Sequence, residues 1–161
     1  MFNEDWERVT TVVTVPIQLV GASAVPAYAH YGDAGFDLAI IEDVTLGPGE
    51  SKLVSCGFSM AIPEGFGENN MFGLFGLIVP RSSSGKLNYS LANTVGVIDS
   101  GYRGDIKLFI KNNTLDQYVR LERDQRVAQM ILMPYVRAQL QAVDNLVKSE
   151  RGSGGFGSSG S

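Results

Sequence analysis

The sequence predicts an all-β fold, a sandwich or barrel with at most one short helix and a C-terminal arm. Three observations lead there: apolar residues recur with a period of two, turn-forming clusters interrupt them at short intervals, and no heptad, repeat or long amphipathic helix is found. The 161 residues suffice for one domain with a core and are too few for two comfortable ones. At 44% hydrophobic and 19% charged, the body has the composition of an ordered globular protein.

Taken in order, the first run is Val13, Val15, Ile17 and Leu19, an alternating strand. Acidic residues precede it and Thr14, Pro16 and Gln18 interrupt it, so neither a signal peptide nor a membrane span fits. The expected location is cytoplasmic, or nuclear in a eukaryotic or viral setting. In "SKLVSCGFSMAI" Val54, Cys56, Phe58, Met60 and Ile62 share one face, which places Cys56 inside a half-buried strand. "LGPGES" and "PEGFGENN" flank this run as turns. The single helical candidate lies around "SGKLNYSLAN", and Ile106, Leu108 and Ile110 mark another strand. After Asp144 the packing pattern stops, so the division expected is a β body over 1–145 and a glycine-rich arm over 146–161.

Composition excludes several chemistries. Cys56 is the lone cysteine, which rules out an internal disulfide, a thiolate zinc cluster and a Cys-Cys redox pair, and the lone His30 rules out a multi-histidine metal site. A net charge of −4 argues against general nucleic-acid binding, which draws on basic surface, yet leaves room for a small anion held by a few focused arginines.

Five segments carry chemical potential. "GVIDSGYRGD" delivers Asp99 to a tight turn at Ser100 and Gly101, with Tyr102 opening a returning strand, so that Asp99 and Tyr102 share a hairpin mouth. Aspartate before Ser-Gly is equally an ordinary turn former. "PRSSSGK" gathers hydroxyls and backbone N–H groups beside Arg81, a donor site suited to phosphate oxygens, though it lacks P-loop spacing and serine-rich turns are usually plain turns. "DAGFDL" offers Asp33 and Asp37, or a simple strand entry. "RVAQM" puts Arg126 and Gln129 on a core-bound strand, where they need partners that a purely structural role would also supply. "RGSGGFGSSG" sets Arg151, Phe156, Ser158 and Ser159 on a backbone too rich in glycine to fold by itself.

In this order, on an all-β chain of this size, the five segments closely resemble the motifs of the trimeric dUTP pyrophosphatases, from roughly residue 12 to the C-terminus. The resemblance implies a jelly-roll-like β-barrel, a homotrimer with active sites at subunit interfaces, dUTP as substrate, Mg²⁺ as cofactor, and neither nucleic acid nor membrane as partner. It implies that Asn93 and the backbone of Gly96, Val97 and Ile98 read the uracil edge, where cytosine's amino group would go unpaired. Tyr102 would lie under the deoxyribose and exclude a 2′-hydroxyl, and Phe156 from the arm would stack on the base. Arg81, Ser82, Ser83, Gln129, Arg151, Gly157, Ser158 and Ser159 would hold the phosphates. Asp99 would hold the 3′-hydroxyl and orient the water that attacks the α-phosphorus. Magnesium would ride on the triphosphate, with Asp37 touching metal-bound water.

Two features depart from the family pattern. The connection over 65–79 is longer than usual and carries Met71, Phe72, Leu74 and Phe75, and Ser83 stands where the commonest family form has glycine. Two other readings stand beside this one. dCTP deaminases share the fold and a similar "RSS" corner, but their pattern has a proton-moving glutamate where "IKLF" here has Phe109. A non-catalytic regulator or scaffold of the same fold is the other, and the intact Asp99, Tyr102, Arg151 and Phe156 speak against it.

Overall fold

A computed structural model describes residues 13–65 and 72–153. Its strands are β1 (Ile17–Leu19), β2 (Phe36–Ala39), β3 (Val44–Leu46), β4 (Ser51–Ser55), β5 (Phe58–Met60), β6 (Phe72–Pro80), β7 (Tyr89–Leu91), β8 (Gly96–Ile98), β9 (Lys107–Asn112), β10 (Val119–Leu121) and β11 (Arg126–Val136). All pairings among them are antiparallel. They form a four-stranded sheet in the order β2-β11-β6-β8, a three-stranded sheet β4-β9-β7, and the pairs β1-β5 and β10-β3. The fold is all-β and jelly-roll-like, although the pairing does not run round as one closed barrel.

One core lies between these sheets. Leu38, Ile78 and Met130 reach it from the four-stranded sheet, and Val54, Leu108 and Ile110 from the three-stranded one. Alternation puts every second side chain there, and removing such residues from water is the main stabilising term. Buried Asn112 ties the far end, its amide donating to the carbonyls of Leu46, Gly47 and Gln117 while its oxygen accepts from Thr114.

The run from Ser51 to Ile62 keeps its predicted alternation, with Val54, Cys56, Phe58, Met60 and Ile62 all buried. It is nonetheless two strands in two sheets, because the chain bends at Gly57, whose φ of +71° is left-handed. A Cβ there would sit 2.5 Å from the Ala22 amide nitrogen and collide with Ile41, so glycine is what the bend requires.

The helical candidate is corrected in part. Ser82–Lys86 forms a short 3-10 helix, whereas the rest of that segment becomes β7. Three serines and a glycine favour a tight turn over a sustained helix. Beyond Val136 no strand is found among the described residues, and 137–153 is exposed throughout.

Candidate functional site

β11 is the spine of the site. A bulge between Arg126 and Ala128 leaves Val127 as the extra residue, so Val127 and Ala128 are both buried while Arg126 and Gln129 both face outward. Gln129 lies opposite Asp37 on β2 and opposite Val79 on β6, and those three share a row on the outer face. Arg81, just past β6, stretches back over β11 to the same place.

There the Asp37 carboxylate accepts from two guanidinium groups, Nε of Arg81 at 2.7 Å on Oδ1 and an Arg126 nitrogen at 3.0 Å on Oδ2. The pairs differ in setting, since Arg81 is 27% exposed and Arg126 57%, against 19% for Asp37. Arg81 also donates to the Arg126 carbonyl at 3.4 Å, and the Gln129 amide donates to the Pro80 carbonyl at 3.0 Å. Two cations share one anion, so the cluster carries net positive charge.

Beside it opens a cavity of about 370 Å³ lined by Asp37, Arg81, Ser82, Gln129, His30 and Asp33 among others. Ser82 and Ser83 are exposed at the start of the 3-10 helix, next to Arg81. Guanidinium forks, hydroxyls and an amide around a concave space suit phosphate oxygens. Asp37, Arg81, Ser82 and Gln129, predicted from three separate segments, therefore line one cavity, with Ser83 next in the chain. His30 lines the same cavity and Arg126 is tied to it through Asp37, both given no role by the sequence reading. Arg126 had announced itself as a polar residue in a core-bound run, and His30, held by Asp33 at 3.3 Å, had given no signal beyond its uniqueness.

The second group lies elsewhere on the same face. β8 is an edge strand, bonded to β6 through Gly96, Val97 and Ile98. Its other edge turns backbone N–H and C=O groups outward. Asn93 is exposed in the loop before it, where Thr94 takes a φ of +64°. Beyond Ile98 the chain makes the predicted tight turn, with the Tyr102 amide donating to the Asp99 carbonyl at 3.0 Å.

The expected hairpin at Asp99 and Tyr102 is not formed. β8 pairs with β6, while β7 and β9 belong to the three-stranded sheet, so both connections, 92–95 and 99–106, cross between sheets. Tyr102 is accordingly not in a strand. Its ring folds over Gly104 and its hydroxyl donates to the Asp105 carbonyl at 3.0 Å. Arg103 donates to the carbonyls of Ser100 and Tyr102 and fixes the turn from within.

Asp99, Val97, Phe75 and Tyr135 line a second cavity of about 350 Å³. Tyr135, which sequence reading missed, packs edge-on to Phe75 at 6.2 Å. Hydrogen bonds from Arg137 and with Ser100 hold its phenol below the ordinary tyrosine range, against the opposing charge of Asp99.

Asp37 and Asp99 do not meet within one chain. Asp37, Gln129 and Val79 form one row, whereas Asp99 follows Ile98, which pairs with Gly76, four residues along β6 at the level of Phe75 and Met133. Four residues along the strands and three strand spacings across separate the two by roughly 20 Å. Between them lie Leu77, Ile131 and Val97, an apolar stripe on which Val97 is 60% exposed. Arg151 is exposed beside a turn in which Gly152 donates to the Ser149 carbonyl, and Phe156, Gly157, Ser158 and Ser159 lie outside the described residues.

Comparison with known proteins bears on this arrangement. A family model described as dUTPase matches residues 22–160. A deoxyuridine 5′-triphosphate nucleotidohydrolase of Leifsonia xyli subsp. xyli is 42% identical over 148 residues, covering 91% of this chain and 91% of the relative. The solved dUTPase of Staphylococcus bacteriophage 80alpha with dUPNHPP superposes with a TM-score of 0.79 at 28% identity, covering 93% of this chain and all (100%) of that one. A mutant dUTPase from phage phi11 of S. aureus, with a coordinated structural Mg(II) ion, has a TM-score of 0.72 at 24% identity over 83% of this chain and 98% of that one, and shares the fold. The chain belongs to the dUTPase family.

Proposed function

We propose that this chain is a dUTP diphosphatase that directs water onto the α-phosphorus of dUTP and releases dUMP and pyrophosphate. The observation that carries the reading is the division of one sheet face into two half-sites, a cationic cavity around Arg81 and an exposed carboxylate at Asp99. On this reading Arg81, Ser82, Ser83 and Gln129 bind the departing phosphates, where positive charge and fixed donors offset the charge that develops on pyrophosphate. Asp37 holds Arg81 and Arg126 in place for that task. The outward edge of β8, with Asn93, offers main-chain donors and acceptors in a fixed pattern to the uracil edge, and Tyr102 closes the sugar side. Asp99 accepts from the 3′-hydroxyl and orients the attacking water. Arg151, Phe156, Gly157, Ser158 and Ser159 of the arm close over base and phosphates, which expels bulk water.

Magnesium fits this donor set in one manner. Both oxygens of Asp37 are engaged by guanidinium groups, so the cavity offers no carboxylate cage, and a hard cation wanting six oxygens would draw them from phosphate and water. Asp37 retains acceptor positions for a water of that shell. When bound, the ion adds charge neutralisation on the triphosphate.

Two half-sites roughly 20 Å apart cannot serve one nucleotide, whose α- and γ-phosphorus are only two bridging oxygens apart. Assembly solves this. A homotrimer would bring Asp99 of one protomer to the Arg81 cavity of another and cover the apolar stripe between them. Deamination finds no support, since Phe109 faces outward on the three-stranded sheet opposite Leu53 and supplies no proton carrier.

The test is to incubate the protein and its Asp99→Asn variant with Mg²⁺ and, separately, dUTP, dCTP and UTP. Pyrophosphate is expected from dUTP alone, with kcat reduced about 10²–10⁴-fold in the variant and binding of a non-hydrolysable analogue retained. Ammonia from dCTP, or a fully active variant, refutes the assignment.

A further inference from the structure

We propose that His30 is a further phosphate-binding residue, whose protonated ring grips the outermost phosphate of the nucleotide and makes affinity for the triphosphate fall as pH rises. The inference rests on the reading of the Arg81 cavity as the seat of the departing phosphates. Asp37 with Arg81 and Arg126 leaves one net positive charge there. Asp33, which lines the same cavity, cancels it. With His30 neutral, the described side chains around the cavity therefore carry no net charge, a poor receptor for a polyanion, and a proton on His30 restores the positive sign.

The turn before β2 fixes the ring. The His30 amide donates to Asp33 Oδ2 at 2.8 Å, the Asp33 amide returns a bond to the His30 carbonyl at 3.2 Å, and ring Nδ1 stands 3.3 Å from the same Oδ2. A carboxylate oxygen only accepts, so Nδ1 keeps its hydrogen in either charge state. The ring therefore gains and loses its proton at Nε2. Neutral, Nε2 offers a lone pair that repels a phosphate oxygen; charged, it offers an N–H that such an oxygen accepts in a charge-assisted bond. The charged groups that bear on the ring are Asp33 within the turn, Asp37 on β2, Arg81 after β6 and, through Asp37, Arg126 on β11. The His30 side chain is 84% exposed, so replacing it leaves the core untouched.

The test is the affinity of a non-hydrolysable dUTP analogue with Mg²⁺, measured by calorimetry at about pH 6 and about pH 8.5, either side of much of the range in which imidazole changes charge. His30→Ala should weaken binding about tenfold at the lower pH and by less than about twofold at the higher. His30→Gln, with an uncharged donor, should lose the wild type's extra dependence on pH in the same way. Titration of the terminal phosphate, near about pH 6, is common to all three proteins and drops out of the comparison. dUMP, which has no outer phosphates, should bind wild type and variants alike. Equal losses at the two pH values, no loss at either, a loss shared by dUMP, or a larger loss at the higher pH, the mark of a neutral ring on the metal, each overturns the proposal. An Arg81→Ala variant with undiminished analogue affinity overturns the reading beneath it, which separates the two failures.

Discussion

Asp37 shows how one side chain serves fold and site together. Its position on β2 gives it a buried flank, and its two oxygens hold arginines from the end of β6 and the start of β11. Cys56 is the opposite case, a residue whose chemistry the fold silences. Burial, reinforced by the negative charge of Asp105, pushes its thiol from the ordinary 9.0 up to about 12. Below pH 9 folded and unfolded chains both keep the proton, while above it the unfolded thiol ionises and the folded one does not. Stability should therefore fall between about pH 9 and about pH 12, by up to about 1.4 kcal/mol per pH unit more in the wild type than in Cys56→Ala. Denaturant titrations of both proteins at pH 8, 9 and 10 would measure the difference in slope, and parallel curves would contradict it.

At the scale of elements, period two was legible and sheet membership was not. Alternation predicted the buried face from Val54 to Ile62 and from Ile106 to Ile110 residue by residue, because each strand presents one face to a common core. It could not say that the chain changes sheets at Gly57, nor that 99–106 crosses between sheets, since a crossover and a hairpin have the same turn residues. The site was legible where a charged or polar residue broke a pattern, as at Arg126 and Gln129, and where Arg81 stood beside a run of hydroxyls. Tyr135 escaped notice because an aromatic on a strand reads as packing, and the room its ring occupies comes from Gly73 across the sheet. Gly104 makes a similar demand on Tyr102. A Cβ there would lie 2.6 Å from Tyr102 Cζ, and the group in its way is the movable end of a side chain. Gly104→Ala should thus leave the denaturation midpoint nearly unchanged while displacing the ring and breaking its bond to the Asp105 carbonyl. If Tyr102 excludes the 2′-hydroxyl by crowding, the ratio of kcat/KM for dUTP over UTP should drop about tenfold or more. An unchanged ratio would show that some other group makes the selection.

For the whole molecule, the separation of Arg81 from Asp99 decides what a complete site must be. The two face the same way on one rigid sheet, and no loop movement spans roughly 20 Å without unpairing strands that hold the core together. Apolar Val97, Leu77 and Ile131 between them are half-buried or exposed in the single chain, which is costly unless another protomer covers them. Subunit mixing tests this directly. Arg81→Ala and Asp99→Asn proteins are each expected to be nearly inactive, the first for want of phosphate binding and the second for want of an oriented water. If each site draws Arg81 from one chain and Asp99 from another, refolding an equimolar mixture leaves about a quarter of all sites with both wild-type residues, because each is present with even odds and independently. The mixture should then recover about a quarter of wild-type activity, whereas the same proteins mixed without unfolding recover it at the rate of subunit exchange. If both residues act within one chain, every protomer in the mixture lacks one of them and no activity returns, a result that would dismantle the shared-site assembly whatever the measured size of the oligomer.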